Sequence, residues 1–217
     1  EILVVDQTER HETSTEEALA ALARIRTIRR LQLARPSIPA AMNVALREAV
    51  GEIVLFVDDD VEPADGLIAA HAAAQESGDI ELVAGQVLQP GETAEPLGAG
   101  EFGFRSTIAQ PVGEFMGGNF SIAREFALAV GGFDENFVGA AYRFEAELAT
   151  RVRKAGGRIA FVPAASVRHL RAEQGGTRAW GDHRRTSRPH HAVGEYYFLL
   201  KVRGPGSLRR ALARPWR

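Results

Sequence analysis

The 217 residues contain no cysteine. That excludes a disulfide framework, thiolate metal ligation and a cysteine nucleophile, and is compatible with a reducing compartment. No apolar run approaches the roughly 20 residues a membrane-spanning helix needs, and no secretory signal pattern is visible. No basic, aromatic-interleaved motif of the kind that grips nucleic acid occurs either, so nucleic acid is not expected as a partner. Methionine and tryptophan number two each, so the aromatic part of a core must come mainly from the 11 phenylalanines. What remains is an ordinary globular composition, 45% hydrophobic and 25% charged. It is enough for one large domain or two tightly joined halves. The chain opens on Glu1 rather than Met and enters a strand pattern at once, which reads as a piece of a longer protein.

Net charge is only −2, but it is unevenly spread. Residues 168–217 hold 12 basic against 3 acidic side chains, a surplus of +9; the other 167 residues hold 14 against 25, a deficit of −11. A basic tail beside an acidic body suggests an anionic partner for the tail. The plainer alternative is a solvated, arginine-rich terminus.

The hydrophobic pattern alternates between strand and helix. Residues 2–5 form a short apolar run ending in Asp6, and Ser14 with Glu17 has the spacing of a capping box before a helix reaching about residue 25. A strand over residues 28–33, a helix over 40–49 and a buried, parallel-type strand over 53–57 follow. Pro63 is placed at the start of a helix running to about residue 75, and 81–88 is another strand. Residues 90–111 dissolve into a Gly- and Pro-rich loop. Further on come a short helix over 124–130 closed by Gly131-Gly132, and a longer one over 142–155 stopped by Gly156-Gly157. Two short strands (158–162 and 166–170) precede a last amphipathic helix at about 192–202. The pattern implies α/β architecture around a mostly parallel central sheet flanked by helices. A nucleotide-binding half (1–88) and an acceptor or catalytic half (89–170) would be followed by a basic tail (171–217).

Asp58-Asp59-Asp60 carries the sharpest chemical signal. Adjacent carboxylates repel, and gathering them at a strand end costs stability unless a cation is shared. In open α/β sheets ligands bind beyond the carboxyl ends of strands, and oxygen donors suit Mg2+ or Mn2+, which take phosphate oxygens as further ligands. Because side chains alternate along an extended chain, Asp58 and Asp60 point the same way. The competing account is an acidic loop capping the next helix.

Residues 51–60, ending in the Asp triplet, resemble the segment that bears the Asp-x-Asp motif of family 2 glycosyltransferases, which have the GT-A fold. Other segments agree in order. Residues 1–7 resemble the family's second strand and its acidic turn at the base. Pro39-Ala40-Ala41-Met42-Asn43 resembles an Ala-Ala-Arg-Asn element. Gly117-Gly118-Asn119-Phe120-Ser121 with Arg124 resembles the acceptor-side motif, and Gly131-Gly132-Phe133-Asp134-Glu135 follows it. Glu145 and His169 occupy the catalytic-acid and late-histidine positions.

The resemblance, over about residues 1–170, implies a metal-dependent, inverting transfer of a sugar from a nucleotide diphosphate to a hydroxyl of a saccharide or lipid-linked acceptor. It implies Mn2+ or Mg2+ held by Asp60, Asp58 and His169, and a nucleotide contacted by Asp6, Gln7, Asn43, Asp58 and Asp59. Gly117, Gly118 and Asn119 would meet the sugar or acceptor, and Glu145 would be the base. The expected location is the cytoplasm, with the basic tail at the inner membrane face. Gln7, Met42 and the lone Glu145 depart from the family's usual residues, and the family's first strand would precede Ile2, leaving a gap beside strands 2–5 and 53–57. A nucleotidyltransferase and a catalytically silent nucleotide-sugar-binding module are the alternatives.

Helix geometry separates two candidate bases. At about 100° per residue, Phe144, Leu148, Val152 and Ala155 share an arc of about 80°, the expected buried stripe. Glu145 falls on its flank and Glu147 farther off on the other side. Glu147 with Arg151 is therefore expected to be a solvated surface pair.

Overall fold

A computed structural model of the chain describes residues 1–97, 101–172, 189–202, 206, 207 and 209. The first unit is a parallel pair of strands, β1 (Leu3–Asp6) and β2 (Arg29–Gln32), joined by helix α1 (Thr13–Arg24). Helix α2 (Ile38–Glu48) leads to β3 (Ile53–Val57), and the short β4 (Val61–Pro63) precedes α3 (Leu67–Glu76). Then come β5 (Leu82–Leu88), β6 (Gln110–Pro111), β7 (Asn119–Ala123), α4 (Arg124–Ala129), α5 (Phe144–Lys154), β8 (Ile159–His169) and α6 (His190–Val202). Six strands form the main sheet in the order β3-β7-β5-β8-β4, with β6 also on β8.

The α/β architecture with helices flanking a central sheet is as expected. The strand directions are not: β1–β2 and β5–β8 are parallel, whereas β3–β7, β5–β7, β4–β8 and β6–β8 are antiparallel. The sheet is mixed rather than mostly parallel, and β3, expected to be a buried parallel strand, lies at its edge against antiparallel β7. An apolar run records burial but not the direction of its neighbour. β1 and β3 do not pair with each other, in line with the expected gap.

Three local expectations fail for identifiable reasons. The helix expected to begin at a Ser14 cap begins at Thr13, with no side-chain cap bond, so Ser14 lies inside it. Pro63 ends edge strand β4 instead of starting a helix; proline, lacking a ladder donor, is tolerated at sheet edges. The two strands expected over 158–170 are one, β8, whose register against β5 jumps between Gly85 and Gln86 so that residues 163–165 bulge out. That bulge broke the sequence pattern in two. The helix expected over 40–49 starts two residues earlier, at Ile38, where Ser37 caps it with Pro39 in the first turn. Gly131 and Gly132, with φ of 91° and 62°, close α4 as expected.

The core lies mainly on the face covered by α2, α4 and α5. Phe120 stacks on Phe56 with ring centroids 4.8 Å apart, and Phe115 and Phe133 pack around the same ring. A smaller cluster around Leu67, Val87 and Val167 sits under α3. β5, enclosed on both faces, is buried along its whole length. Helix α6, expected as part of a separate tail, packs Tyr197 and Phe198 against the main core, whereas Leu200 is 61% exposed. Residues 173–188, 203–205, 208 and 210–217 of the expected tail lie outside the described residues.

Candidate active site

The topology brings the candidate metal ligands together. β3, β5 and β8 run in the same direction, so residues following their carboxyl ends meet on one rim. There Asp58, Asp60 and His169 offer donor atoms all within 4.8 Å of one another. His169 Nε2 is 3.1 Å from Asp60 Oδ1 and 4.0 Å from Asp58 Oδ2. Its Nδ1, 3.2 Å from Gln89 Oε1, must carry the proton, because an amide oxygen only accepts. Nε2 therefore faces the two carboxylates, an arrangement typical of a metal-ligating histidine fixed by an outer partner. Asp60 is held in place by the Ala172 N–H on its Oδ2 and by its own carbonyl accepting from Leu170. Two carboxylate oxygens and one imidazole nitrogen suit Mn2+ or Mg2+ with room for phosphate oxygens. Asp59 is exposed on the turn between them and outside the cluster.

Two adjacent glycines join this cluster to Glu145. The Asp58 N–H donates to the Gly118 carbonyl at 3.2 Å, and a Cβ on Gly118 would lie 2.8 Å from Asp58 Cγ. One residue earlier, the Gly117 backbone lies against the Glu145 carboxylate. A Cβ on Gly117 would sit 3.1 Å from the Phe144 ring and 3.3 Å from Glu145 Oε1. The glycines are there because two carboxylates press on the backbone from neighbouring positions. Glu145 is half-buried in the first turn of α5. Desolvation raises its pKa to about 7, outweighing the N–H donors of Glu145 itself and Gly117, with the Asp58 charge adding to the rise.

Glu147 is not the solvated residue expected. Its side chain is only 3% exposed, bound by Arg151 at 2.6 Å and by Lys201 at 2.7 Å. α6 covers that flank of α5 and widens the buried arc beyond the expected stripe, while Ala155, assigned to the stripe, is exposed at the helix end.

Several expected contact residues have their polar atoms committed inside the protein. Asn119 is fully buried: its Nδ2 donates to the carbonyls of Gln86 and Ala165, and its Oδ1 meets His71 Nε2 at 3.0 Å. It therefore pins the β5–β8 bulge and is not presented to an acceptor. Asn43 donates to the Phe133 carbonyl and to Glu135, and accepts from the Phe133 N–H. It ties α2 to the turn after α4, where a Cβ on Gly132 would approach its Oδ1 to 2.5 Å. Arg124 closes the end of α2 through the carbonyls of Leu46 and Arg47. At the end of β1, Asp6 holds Arg30 at 2.6 Å and His11 at 2.7 Å. Burial alone would raise its pKa, but donors from Thr8, His11 and Arg30 bring it down to about 2. Gln7 accepts from the Ser37 N–H through its side-chain oxygen.

The sequence matches the Glycosyl transferase family 2 profile over residues 1–147. The chain belongs to glycosyl transferase family 2. Membership places it among the glycosyltransferases. None of the curated proteins compared matches it. Among solved structures, it is similar to mannosyltransferase PcManGT from Pyrobaculum calidifontis in complex with GDP-Man and Mn2+, at 22% identity and a TM-score of 0.65, covering 100% of this chain and 62% of that one. It is also similar to S. aureus TarS 1-349 in complex with UDP-GlcNAc (14%, TM-score 0.64, covering 93% and 57%). A third is GalNAc-T7 with UDP, GalNAc and Mn2+ (17%, TM-score 0.62, covering 78% and 37%). These likenesses establish a shared GT-A fold, and the chain spans less than two thirds of each of the three neighbours.

Within this family member, sequence reasoning missed Gln89, which orients His169, and Arg143, Glu195 and Lys201 around the first turn of α5. Gln89 sits in a loop with no periodicity. The other three become visible only once α6 is seen to dock on α5.

Proposed function

We propose that this chain carries a metal-dependent, inverting glycosyl transfer from a nucleotide-diphosphate sugar to a hydroxyl of a saccharide or lipid-linked acceptor. The observation that supports it most is the Gly117-Gly118 joint, with Glu145 against one glycine and Asp58 against the next. A carboxylate of raised pKa beside a cluster able to hold a cation is the pair of groups that direct displacement would use. Glu145, as carboxylate, takes the proton of the acceptor hydroxyl. The acceptor oxygen bonds to the anomeric carbon from the face opposite the leaving group. The bond from that carbon to the phosphate oxygen breaks, and its electron pair departs with the nucleoside diphosphate. Asp58, Asp60 and His169 would hold Mn2+ or Mg2+, which when bound neutralises charge on the diphosphate. In the same reading, the nucleotide lies along the strand ends carrying Asp6, Gln7, Asp58 and Asp59. Asp6 serves there by fixing Arg30 and His11, and Asn43 by bracing the wall behind.

No helix among the described residues is long and apolar enough to cross a membrane. Attraction of the basic tail to an anionic lipid surface belongs to the proposal and fits the +9 surplus.

Transfer from UDP- and GDP-sugars to acceptor hydroxyls is the test, run with Mn2+, with Mg2+ and with chelator. The proposal requires metal-dependent product with inverted anomeric configuration, abolished in Asp60→Ala. Nucleotide binding without turnover for every donor would assign a silent binding module, and nucleotidyl transfer in place of glycosyl transfer would overturn the reading.

A further inference from the structure

The residues leading into Glu145 are held by an element outside the family match. Ala141 and Arg143 adopt left-handed backbone conformations, φ of 48° and 75°, directly before α5. Side chains with a Cβ rarely adopt this region, and such strain persists only where surrounding structure enforces it. Here α6 packs against the segment at Tyr142 and Arg143. Glu195 accepts from Arg143 Nε at 2.8 Å, and the guanidinium lies 5.0 Å from the centre of the Tyr142 ring. Gly194 lets the Tyr142 carbonyl approach so closely that any Cβ there would collide with it, and the His191 ring packs edge-on against Tyr142. One turn of α5 further on, Lys201 reaches Glu147 at 2.7 Å and also grips Asp134. Glu195 and Lys201 therefore clasp the positions two residues before and two residues after Glu145. The family match ends at residue 147, whereas α6 begins at His190.

We propose that Glu195 and Lys201 are positioning residues for the transfer, bracketing the first turn of α5 so that the Glu145 carboxylate stays against Gly117. This inference rests on the reading of Glu145 as the base. It makes turnover depend on α6, while binding of nucleotide and metal, which occurs on the strand ends, does not. It also explains two features that otherwise have no role in the site. One is a glycine in mid-helix at 194, at a cost to α6 itself. The other is a buried Glu147 sharing two cations.

The test compares the wild-type full chain with Glu195→Gln, Lys201→Met and the exchanged pair Arg143→Glu with Glu195→Arg. Three quantities are measured: kcat against donor KM, calorimetric affinity for UDP or GDP with Mn2+, and hydrogen–deuterium exchange of the amides at 143–148. The single variants are expected to lose at least about tenfold in kcat with donor KM and nucleotide affinity within about twofold. Their 143–148 amides should exchange faster while the β5 and β7 amides do not. The exchanged pair should recover part of kcat. Unchanged exchange at 143–148 in both single variants would overturn the clasp. Faster exchange with unchanged kcat would reduce it to a structural contact. A wild-type chain inactive with every donor would refute the functional reading instead, and exchange would still report whether α6 holds the turn.

Discussion

Asn119→Ala separates a structural role from an acceptor-binding role. Asn119 lies in the motif that resembles the acceptor side, yet its amide is the hub of a buried network. Both Nδ2 protons go to carbonyls, of Gln86 and Ala165, at 2.9 Å each. Oδ1 must therefore accept from His71 Nε2–H, which leaves His71 Nδ1 to accept from the Ser121 hydroxyl at 2.9 Å; Ser121 in turn accepts from Gln75. Every partner is satisfied with a neutral imidazole. Truncation to alanine strands the His71 N–H and a lone pair on each of two buried carbonyls. Each such group costs about 1–3 kcal/mol, less where a water enters the space left behind. We expect a loss of about 3–5 kcal/mol, a large fraction of the roughly 5–15 kcal/mol that holds a domain together. At about 2–4 °C per kcal/mol for a chain of this size, the melting temperature should fall by roughly 6–20 °C. Urea denaturation followed by circular dichroism measures the loss directly. A variant within about 1 kcal/mol of wild type but with a raised acceptor KM would refute the argument and return Asn119 to the acceptor site.

Gly118→Ala pushes a methyl group onto the Asp58 carboxylate, so Mn2+-dependent nucleotide affinity should drop by about 10–100-fold, as for disturbed metal-site neighbours; calorimetry checks this. Glu145→Gln should lower kcat by about a hundredfold or more with nucleotide affinity kept. Because the base works as carboxylate, wild-type kcat/KM should fall as pH drops through about 7, a limb visible in a pH–rate profile. The same raised pKa means that ionising Glu145 at high pH weakens the fold, since its stabilising contribution is present below the unfolded pKa and lost as pH rises; Glu145→Gln should therefore melt higher than wild type at pH 8. His71 behaves in the opposite sense. Burial lowers its pKa from 6.5, so the unfolded chain takes up a proton that the folded one refuses, and stability should fall as pH drops below 6.5. NMR of the His71 ring should show no titration at 6.5.

The sequence by itself determined the α/β class, the order and approximate span of most elements, and the residue types at the site. Asp58 and Asp60 were legible because a strand's two-residue period turns both to one side. Glu145 was legible as the flank of a helical stripe; the paired glycines were expected against the sugar or acceptor, whereas the Glu145 and Asp58 side chains press on them. Tertiary structure decided everything that depends on which element lies beside which. The direction of β7 against β3 made the sheet mixed, because hydrophobic patterning carries no sign for strand direction. The fate of Asn119 and Asn43 hung on carbonyls and loops far away in sequence. A polar residue that binds a ligand and one that binds its own backbone look alike until that partner is known. Glu147 turned from an expected surface residue into a buried one because α6, more than forty residues later, lies over it. Periodicity defines one face of a helix at a time, and a second covering helix can be read only from the packed molecule.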